Sequence, residues 1–240
     1  MEELASKLIE WIKEQVARAK RRGVVFGLSG GLDSAVVAVL CKRAFPENTL
    51  ALIMPCHSSE TDIEHAEAVA SKFSIPINTI ALEGVFSSLL KVLPSGNYEP
   101  ANSKLAEANL KPRLRMLALY YLSTQLHYLV VGTGNRSEIS IGYFTKYGDG
   151  AADILPLGNL VKNQVQELAV YLDIPREIIQ KPPSAGLWVG QTDEAEMGIT
   201  YDELDRYLLT GHAAEEVKKK IDARITGSSH KRVLPAIPKS

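Results

Sequence analysis

The sequence predicts an α/β fold, a doubly wound three-layer sandwich with a parallel sheet of about five strands. Short apolar runs of strand length alternate with longer segments of helical period, which is typical of parallel βαβ units. The first apolar run leads directly into a glycine-rich turn and a helix start. The 240 residues, 45% of them hydrophobic, suffice for one well-cored domain, and we expect residues 1–240 to form one.

Composition narrows the function classes. A formal net charge of −1 argues against a generally basic nucleic-acid surface. The two cysteines, Cys41 and Cys56, have no metal-ligand spacing and are too few for a disulfide scaffold. No apolar run approaches membrane-span length, and residues 1–22 are too charged for a signal peptide. We therefore expect a cytoplasmic protein that binds neither nucleic acid nor membrane.

Residues 2–22 predict an amphipathic helix, because Leu4, Leu8 and Trp11 begin an apolar series at helical spacing. Basic residues at positions 20–22 complement the helix dipole at its C-terminus, and Gly23 is the usual stop. We interpret the basic triplet as helix termination.

Residues 24–34 form the central motif of the chain. Residues 24–27 predict a strand buried on both faces, a tight turn follows, and residues 35–40 continue a helix with little polarity. Unpaired backbone N–H groups and the positive dipole at such a helix start suit a phosphate. Gly30 and Gly31 let the backbone approach the phosphate oxygens, while Ser29 and Ser34 offer hydroxyl donors.

Asp33 distinguishes this motif from the common nucleotide loops. No Lys follows the glycines as GxxxxGK[ST] requires, and GxGxxG is missing. A carboxylate beside a phosphate is unfavourable unless a cation lies between them, so Asp33 implies Mg²⁺ bridging to a polyphosphate. The alternative is an Asp that only caps the helix.

Three further strands are predicted over residues 50–55, 75–82 and 129–134, with a helix over residues 61–73 after the first of them. Ligands bind outside the carboxyl ends of such strands, so an adenine ring could lie near Met54. Cys56 and His57 do not predict a thiol nucleophile, because no orienting acid is evident.

Residues 101–127 predict one long helix or two. Pro112 favours a helix start or a kink near Lys111. The apolar side chains beyond Pro112 exceed one buried stripe. They indicate either a subunit interface or a helix enclosed in its own domain, and the sequence does not decide between the two.

The strand over residues 129–134 ends in a second glycine-bearing loop at the same edge as the first. This places Glu138 to share a metal with Asp33, and Thr133 to contact the nucleotide. Residues 142–153 resemble a binding surface, and residues 154–157 predict a short strand. Lys162 opens the next helix, where the dipole disfavours a cation unless an anion is bound there.

The C-terminal part has fewer regular patterns. Residues 181–194 show neither helical nor strand period and predict a lid. Thr200 and Glu203 form a capping box that starts a helix, and residues 213–225 predict the last helix. The basic residues 230–232 are either a solvated end or an anion clamp.

Several of these motifs resemble known families. Residues 29–34, SGGLDS, resemble the pyrophosphate loop of the N-type ATP pyrophosphatases. The longer motifs are similar to those of ammonia-dependent NAD synthetases, and they lie at residues 109–115, 132–138, 142–157, 181–194 and 230–232. The resemblance implies an adenine nucleotide alpha hydrolase-like fold and a homodimer. It also implies that Mg·ATP adenylates the nicotinate carboxylate of deamido-NAD, and that ammonia then displaces AMP.

The resemblance also implies roles for individual residues. Asp33 and Glu138 would bind Mg²⁺, and Asp33 and Lys162 would be catalytic, with Lys162 stabilising charge on the departing pyrophosphate. The expected ATP contacts are Gly27, Leu28, Ser29, Gly30, Gly31, Leu32, Asp33, Ser34, Met54, Thr133, Lys162 and Ser184. The expected deamido-NAD contacts are Arg113, Lys146, Asp153, His230 and Lys231.

Two other interpretations compete with this one. The chain could be another ATP pyrophosphatase, such as a GMP synthetase subunit or a tRNA-modifying enzyme, although the latter would have a basic face and often paired cysteines. It could also be an adenine-nucleotide sensor without chemistry, against which Glu138 argues as a second metal carboxylate. Free ammonia is the expected nitrogen donor, because Cys41 falls in a buried apolar helix and Cys56 lacks the orienting partner of a glutaminase nucleophile.

Overall fold

A computed structural model describes residues 1–94, 96, 99–184, 186 and 190–238. These residues form a parallel four-stranded sheet in the order β3-β2-β1-β4. The strands are β1 (Gly23–Gly27), β2 (Thr49–Ile53), β3 (Ile77–Thr79) and β4 (Tyr128–Val130). The helices are α1 (Glu2–Arg18), α2 (Leu32–Ala44), α3 (Glu60–Lys72), α4 (Glu83–Val92), α5 (Pro100–Leu126), α6 (Arg136–Ile141), α7 (Lys162–Tyr171), α8 (Arg176–Ile179), α9 (Asp193–Met197), α10 (Tyr201–Thr210) and α11 (Glu215–Gly227).

Strand β1 lies at the centre and is buried on both faces. Val24 and Phe26 pack into an apolar cluster with α1, α2, α3 and α7, while Val25 packs on the opposite face with α4 and α5. Parallel strands covered by helices on both faces give the predicted doubly wound three-layer sandwich. The α/β fold class is confirmed.

The sheet has one strand fewer than the five expected. The predicted strand over residues 154–157 is reduced to a single parallel bridge between Val131 and Ile154. Pro156 has no N–H to donate to a ladder, and the backbone turns at Leu155, whose carbonyl accepts from Gly158 N–H at 3.0 Å.

The first helix is shorter than the pattern predicts. It ends at Arg18, and Lys20 takes the left-handed conformation, with φ of 54°, where the chain leaves the helix. The expectation that Gly23 is the helix stop is wrong. Gly23 opens β1, where a Cβ atom would lie 2.1 Å from the Asn48 carbonyl oxygen, so close strand packing requires a glycine.

Helix α5 is continuous through Pro112, so the long segment is one helix. It packs against β1 and β4, and this tertiary packing outweighs the cost of an internal proline. Part of its apolar surface stays exposed, with Leu117 at 59% and Tyr121 at 66%. None of the described helices has the length and apolarity needed to cross a lipid bilayer.

A third apolar cluster joins the C-terminal helices to the site. Ile141 of α6 packs with Met197, Leu204 and Ile221, so that α10 lies against α6 and α7. The predicted capping box at the start of α10 is confirmed, since Thr200 Oγ1 accepts from Glu203 N–H and the Glu203 carboxylate accepts from Thr200 N–H.

Candidate active site

The carboxyl ends of β1, β2 and β4 open into a cavity of about 520 Å³. Twelve residues are predicted from the sequence to contact ATP, and all but Gly30 line this cavity. They are Gly27, Leu28, Ser29, Gly31, Leu32, Asp33, Ser34, Met54, Thr133, Lys162 and Ser184, and Glu138 lines it as well. The structure therefore brings together residues that lie up to 157 positions apart in the chain.

The glycine-rich loop is closely packed from behind. Gly30 has a φ of 78°, and a Cβ atom there would lie 2.1 Å from the Asp62 carbonyl oxygen in α3. In front, Ser34 Oγ donates to the Gly31 carbonyl at 2.9 Å and accepts from Ser29 N–H at 3.2 Å. The two serine hydroxyls lie 3.0 Å apart, so in this structure they organise the loop itself.

Asp33 does not cap α2. The N-cap residue is Gly31, and Asp33 lies in the first turn with a side chain that is 16% exposed. One carboxylate oxygen accepts from Asn135 Nδ2 at 3.0 Å, and the other forms an ion pair with Lys162. The alternative of a capping aspartate is therefore wrong, and Asp33 points toward the other charged groups of the cavity.

Lys162 lies between two carboxylates. Its ammonium pairs with Asp33 and lies 3.7 Å from Glu138 Oε1, and its side chain is only 5% exposed. Burial and the neighbouring charge of Asp33 raise the pKa of Glu138 to about 8. Burial alone would lower the pKa of Lys162, but Asp33 and Glu138 outweigh it and hold that pKa above its ordinary value.

The helix start at Lys162 is neutralised by the protein itself. Ser137 Oγ accepts from Lys162 N–H at 3.1 Å, and Asp205 accepts from Asn163 N–H at 2.8 Å. We expected an anion near a cation at this helix start, and two carboxylates of the protein provide it. Asp205 accepts from the backbone, and Asp33 pairs with the Lys162 ammonium.

The donor set suits Mg²⁺. The described residues include no cluster of three or more metal-ligating side chains, so a metal held by Asp33 and Glu138 would take its remaining ligands from phosphate and water. Mg²⁺ is commonly bound in this way, through one or two carboxylates and substrate phosphates. The two carboxylates already share one cation, the Lys162 ammonium, which shows that the place between them favours positive charge.

The carboxyl end of β2 is held by Arg115, which the sequence analysis did not single out. Its Nε donates to the Met54 carbonyl at 3.0 Å and its Nη2 donates to Ser58 Oγ at 3.3 Å. Cys56 is fully buried, and burial raises the pKa of its thiol. His57 packs edge-on against Phe86, with 5.4 Å between the ring centroids. Cys56 and His57 therefore do not form a nucleophile–base pair.

The residues expected to hold deamido-NAD are mostly outside the cavity. Only Lys231 lines it, and its ammonium donates to the carbonyls of Gly142 and Phe144, each at 2.8 Å. Lys146 Nζ donates to the His230 carbonyl at 2.6 Å, and Arg113 donates to the Lys146 carbonyl at 3.4 Å.

Asp153, the remaining member of this set, is exposed and contacts β4 and α5. One of its oxygens accepts from Val130 N–H at 2.8 Å, and the other accepts from the Tyr120 hydroxyl of α5 at 3.3 Å. Arg113, Lys146, Asp153 and His230 are thus absent from the cavity wall, and Arg113 of α5 contacts Lys146 while Asp153 contacts Tyr120 of the same helix.

The predicted lid is described only in part, since residues 185 and 187–189 lie outside the described residues. At its start Lys181 forms an ion pair with Asp62 of α3, and Ser184 faces the cavity. At its end the Asp193 carboxylate is 3.1 Å from the Tyr143 hydroxyl and 3.0 Å from the Tyr201 hydroxyl.

Sequence reasoning gave Asn135, Asp193 and Tyr201 no individual roles. Asn135 caps α6 in a capping box with Glu138, a pattern that the Asn-x-x-Glu spacing of residues 135–138 could have indicated. Tyr201 follows the capping residue Thr200, but nothing in the local pattern indicates that it reaches Glu138, 63 positions away.

Comparison with known proteins shows the family of this chain. The family model described as NAD synthase matches residues 4–235. The NH(3)-dependent NAD(+) synthetase of Carboxydothermus hydrogenoformans is 49% identical over 99% of this chain and 97% of its own length. The structure of the NMN synthetase from Francisella tularensis superposes with a TM-score of 0.93 at 39% identity, covering 100% of this chain and 98% of that one. The NH3-dependent NAD synthetase from Campylobacter jejuni follows with a TM-score of 0.81 and 30% identity, covering 99% and 98%.

Proposed function

The chain belongs to the NAD synthase family, and we propose that it amidates the nicotinate carboxylate of deamido-NAD with ammonia, cleaving ATP to AMP and pyrophosphate. The observation that carries this proposal is the group formed by Asp33, Lys162 and Glu138 beside a glycine-rich phosphate loop in one cavity.

In the first half-reaction a nicotinate oxygen attacks the α-phosphorus of ATP. The new O–P bond forms while the bond from the α-phosphorus to the bridging oxygen breaks, and pyrophosphate leaves with the electron pair. The backbone N–H groups at the start of α2 donate hydrogen bonds to the phosphate oxygens. Lys162 offsets the charge that develops on pyrophosphate. We assign ATP to Gly27, Leu28, Ser29, Gly30, Gly31, Leu32, Asp33, Ser34, Met54, Thr133, Lys162 and Ser184.

We further assign Mg²⁺ to Asp33 and Glu138. When bound, this metal would neutralise the polyphosphate and so assist the departure of pyrophosphate. The protein's own contribution is to hold both carboxylates at the loop. Asn135 fixes each of them, through its side chain to Asp33 and through the capping box to Glu138.

In the second half-reaction ammonia attacks the acyl carbon of the nicotinyl adenylate. A C–N bond forms, the C–O bond to AMP breaks, and the ammonia nitrogen loses one proton. Both described cysteines, Cys41 and Cys56, are fully buried, and burial raises the pKa of each thiol. Because a glutaminase nucleophile must be an accessible thiolate, we propose free ammonia as the nitrogen donor. Separately, we propose the cytoplasm, the compartment expected from the composition, as the place of reaction.

The dinucleotide is proposed to extend out of the cavity. Lys231 would receive it at the cavity wall, and Arg113, Lys146, Asp153 and His230 would receive its outer part outside the cavity. Cations are required there because two polyanions must meet in a chain of almost neutral net charge.

The experiment follows both half-reactions. Purified protein with Mg·ATP, deamido-NAD and ammonium should form NAD and pyrophosphate in equal amounts. Without ammonium, labelled pyrophosphate should exchange into ATP only when deamido-NAD is present, which is expected for a reversible adenylation. Replacing deamido-NAD by xanthosine monophosphate tests the GMP-forming alternative. ATP binding without pyrophosphate release would instead support a nucleotide sensor.

A mononucleotide substrate is a second candidate. Only Lys231 of the five expected dinucleotide residues lines the cavity, and the NMN synthetase of F. tularensis superposes with a TM-score of 0.93. The mononucleotide of nicotinate presents the same carboxylate without an outer adenylate. The ratio of kcat/KM for deamido-NAD and nicotinate mononucleotide, measured with the same enzyme, decides between the two substrates.

We propose that the enzyme is a homodimer formed through α5. Leu117 and Tyr121, which lie one turn apart on this helix, are 59% and 66% exposed. Exposed apolar side chains of this size, one turn apart on a helix, favour association. Light scattering should give about twice the 26.3 kDa chain mass, and Tyr121→Asp should shift the protein toward monomer. A wild-type monomer at micromolar concentration would contradict the proposal.

A further inference from the structure

Tyr201 contacts three charged residues of the site, Asp193, Glu138 and Lys162. It is the first residue of α10, fixed there by the Thr200–Glu203 capping box, and it is 4% exposed. Its hydroxyl donates to Asp193 Oδ2 at 3.0 Å and lies 3.4 Å from Glu138 Oε1. Its ring centroid is 5.2 Å from the Lys162 ammonium.

Asp193 lies at the end of the predicted lid and continues this contact into residues 191–196. Its other oxygen lies 3.1 Å from the Tyr143 hydroxyl, which is itself 2.8 Å from Glu196 Oε2. Gln191 Nε2 donates to the same Glu196 oxygen at 2.6 Å. A chain of polar contacts therefore runs from residues 191–196 to Glu138 through two tyrosine hydroxyls.

The Tyr201 hydroxyl lies between the carboxyl groups of Asp193 and Glu138. Its single proton can be donated to either carboxyl group, so that removing the hydroxyl removes a contact of Glu138 as well as one of Asp193. The Glu138 carboxylate also accepts from Asn135 N–H, at 3.3 Å. The direction in which Glu138 points is thus set by the capping box, by Lys162 and by the Tyr201 hydroxyl.

We propose that Tyr201 is a positioning residue, which orients Glu138 for the metal and couples that orientation to the docking of residues 191–197. This inference rests on the proposed function, in which Glu138 is a metal ligand. Tyr201 itself is not among the residues that line the cavity. Groups that orient a metal ligand through hydrogen bonds commonly change metal affinity about 10–100-fold when they are removed.

The test compares Tyr201→Phe with Tyr207→Phe. The first variant keeps the ring against Lys162 and removes only the hydroxyl. The second is the matched control, because Tyr207 lies on the same helix and its hydroxyl donates to Asp222 at 2.6 Å, away from the cavity lining. Mn²⁺ binding is titrated by electron paramagnetic resonance in the presence of α,β-methylene-ATP, which does not release pyrophosphate.

We expect Tyr201→Phe to weaken Mn²⁺ binding about 10-fold and to lower kcat by a similar factor. The KM for deamido-NAD should stay within about 2-fold, and Tyr207→Phe should match the wild type. Amide hydrogen exchange over residues 193–197 should be faster in Tyr201→Phe than in Tyr207→Phe. A merely structural role would lower the melting temperature without a selective loss of metal affinity.

Each result decides a separate question. Unchanged or tighter Mn²⁺ binding in Tyr201→Phe would overturn the role in orienting Glu138, and unchanged exchange over residues 193–197 would overturn the coupling to that segment. A wild type that binds Mn²⁺ with the analogue but forms no NAD would overturn the proposed function while the Tyr201 comparison still stands. A wild-type protein that binds no metal with the analogue would overturn both the proposed metal site and the role of Tyr201.

Discussion

Replacing Lys162 by Met removes an ammonium while keeping an unbranched side chain of similar length. The side chains of Lys162, Asp33 and Glu138 are 5%, 16% and 18% exposed, so the two carboxylates would be left nearly dry and without their shared cation. Breaking a buried ion pair from one side typically costs about 3–5 kcal/mol. For a domain of this size each kcal/mol lowers the melting temperature by about 2–4 °C, so we expect a loss of roughly 6–20 °C.

The assay is thermal unfolding of both proteins, with and without Mg²⁺. Added Mg²⁺ should restore part of the loss in Lys162→Met, because the divalent cation replaces the ammonium between the carboxylates. The control is Lys13→Met, which breaks an ion pair between side chains that are 42% and 65% exposed and should cost less than about 1 kcal/mol. Equal melting temperatures for wild type and Lys162→Met without Mg²⁺ would refute this reasoning.

The loss in Lys162→Met should also depend on pH. The pKa of Glu138 is raised from 4.5 to about 8, so the folded state binds this proton more tightly than the unfolded state does. The corresponding stability is fully present below about pH 4.5 and is lost as pH rises through about 8. Without the Lys162 ammonium the pKa of Glu138 should rise further, because no cation stabilises the carboxylate. The difference in melting temperature between wild type and Lys162→Met should therefore be larger at pH 9 than at pH 6.

Three further predictions concern turnover. Asp33→Asn and Glu138→Gln should each lower kcat at least about 100-fold, equivalent to about 2.7 kcal/mol, with folding retained. Lys146→Met should raise the KM for deamido-NAD more than the KM for ATP in steady-state assays. The double variant Cys41→Ala/Cys56→Ala should keep ammonia-driven activity, and the rate at subsaturating ammonium should rise with pH because only deprotonated ammonia attacks.

Different results would count against each of these. Near-normal turnover in either carboxylate variant would remove that residue from the metal site. A larger rise in the KM for ATP would move Lys146 from the dinucleotide to the nucleotide. NAD formation from glutamine by the purified chain, lost in the double cysteine variant, would contradict free ammonia as the donor.

The sequence predicts best where local pattern and burial act together. The strand at β1 is apolar on both faces because helices cover both. The carboxyl ends of β1 and β4 bring Asp33 and Glu138 to the same cavity. The sequence was misinterpreted where the role of a residue depends on backbone atoms that are distant in the chain. Gly23 follows a basic triplet and looks like a helix stop, but the constraint on it comes from the Asn48 carbonyl of a neighbouring chain segment.

The polar surroundings of the site were equally out of reach of local pattern. Arg115 and Met54 are 61 positions apart, and Tyr201 and Glu138 are 63 apart, so no periodicity links them. The strand over residues 154–157 has the right composition, yet the turn at Leu155 leaves it only one bridge. Such contacts depend on tertiary packing, which overrides local preference.

The packing of Gly30 against α3 has a thermodynamic consequence for nucleotide binding. Because the loop is held from behind by the Asp62 carbonyl and in front by Ser34, its backbone is ordered before a phosphate arrives. Fixing the backbone of one residue costs about 1–2 kcal/mol, and here that entropy is lost during folding rather than during binding. Pyrophosphate alone should therefore find a preorganised receptor, and a Gly30→Ala variant would weaken nucleotide affinity through loop disorder although no contact with the nucleotide had been removed.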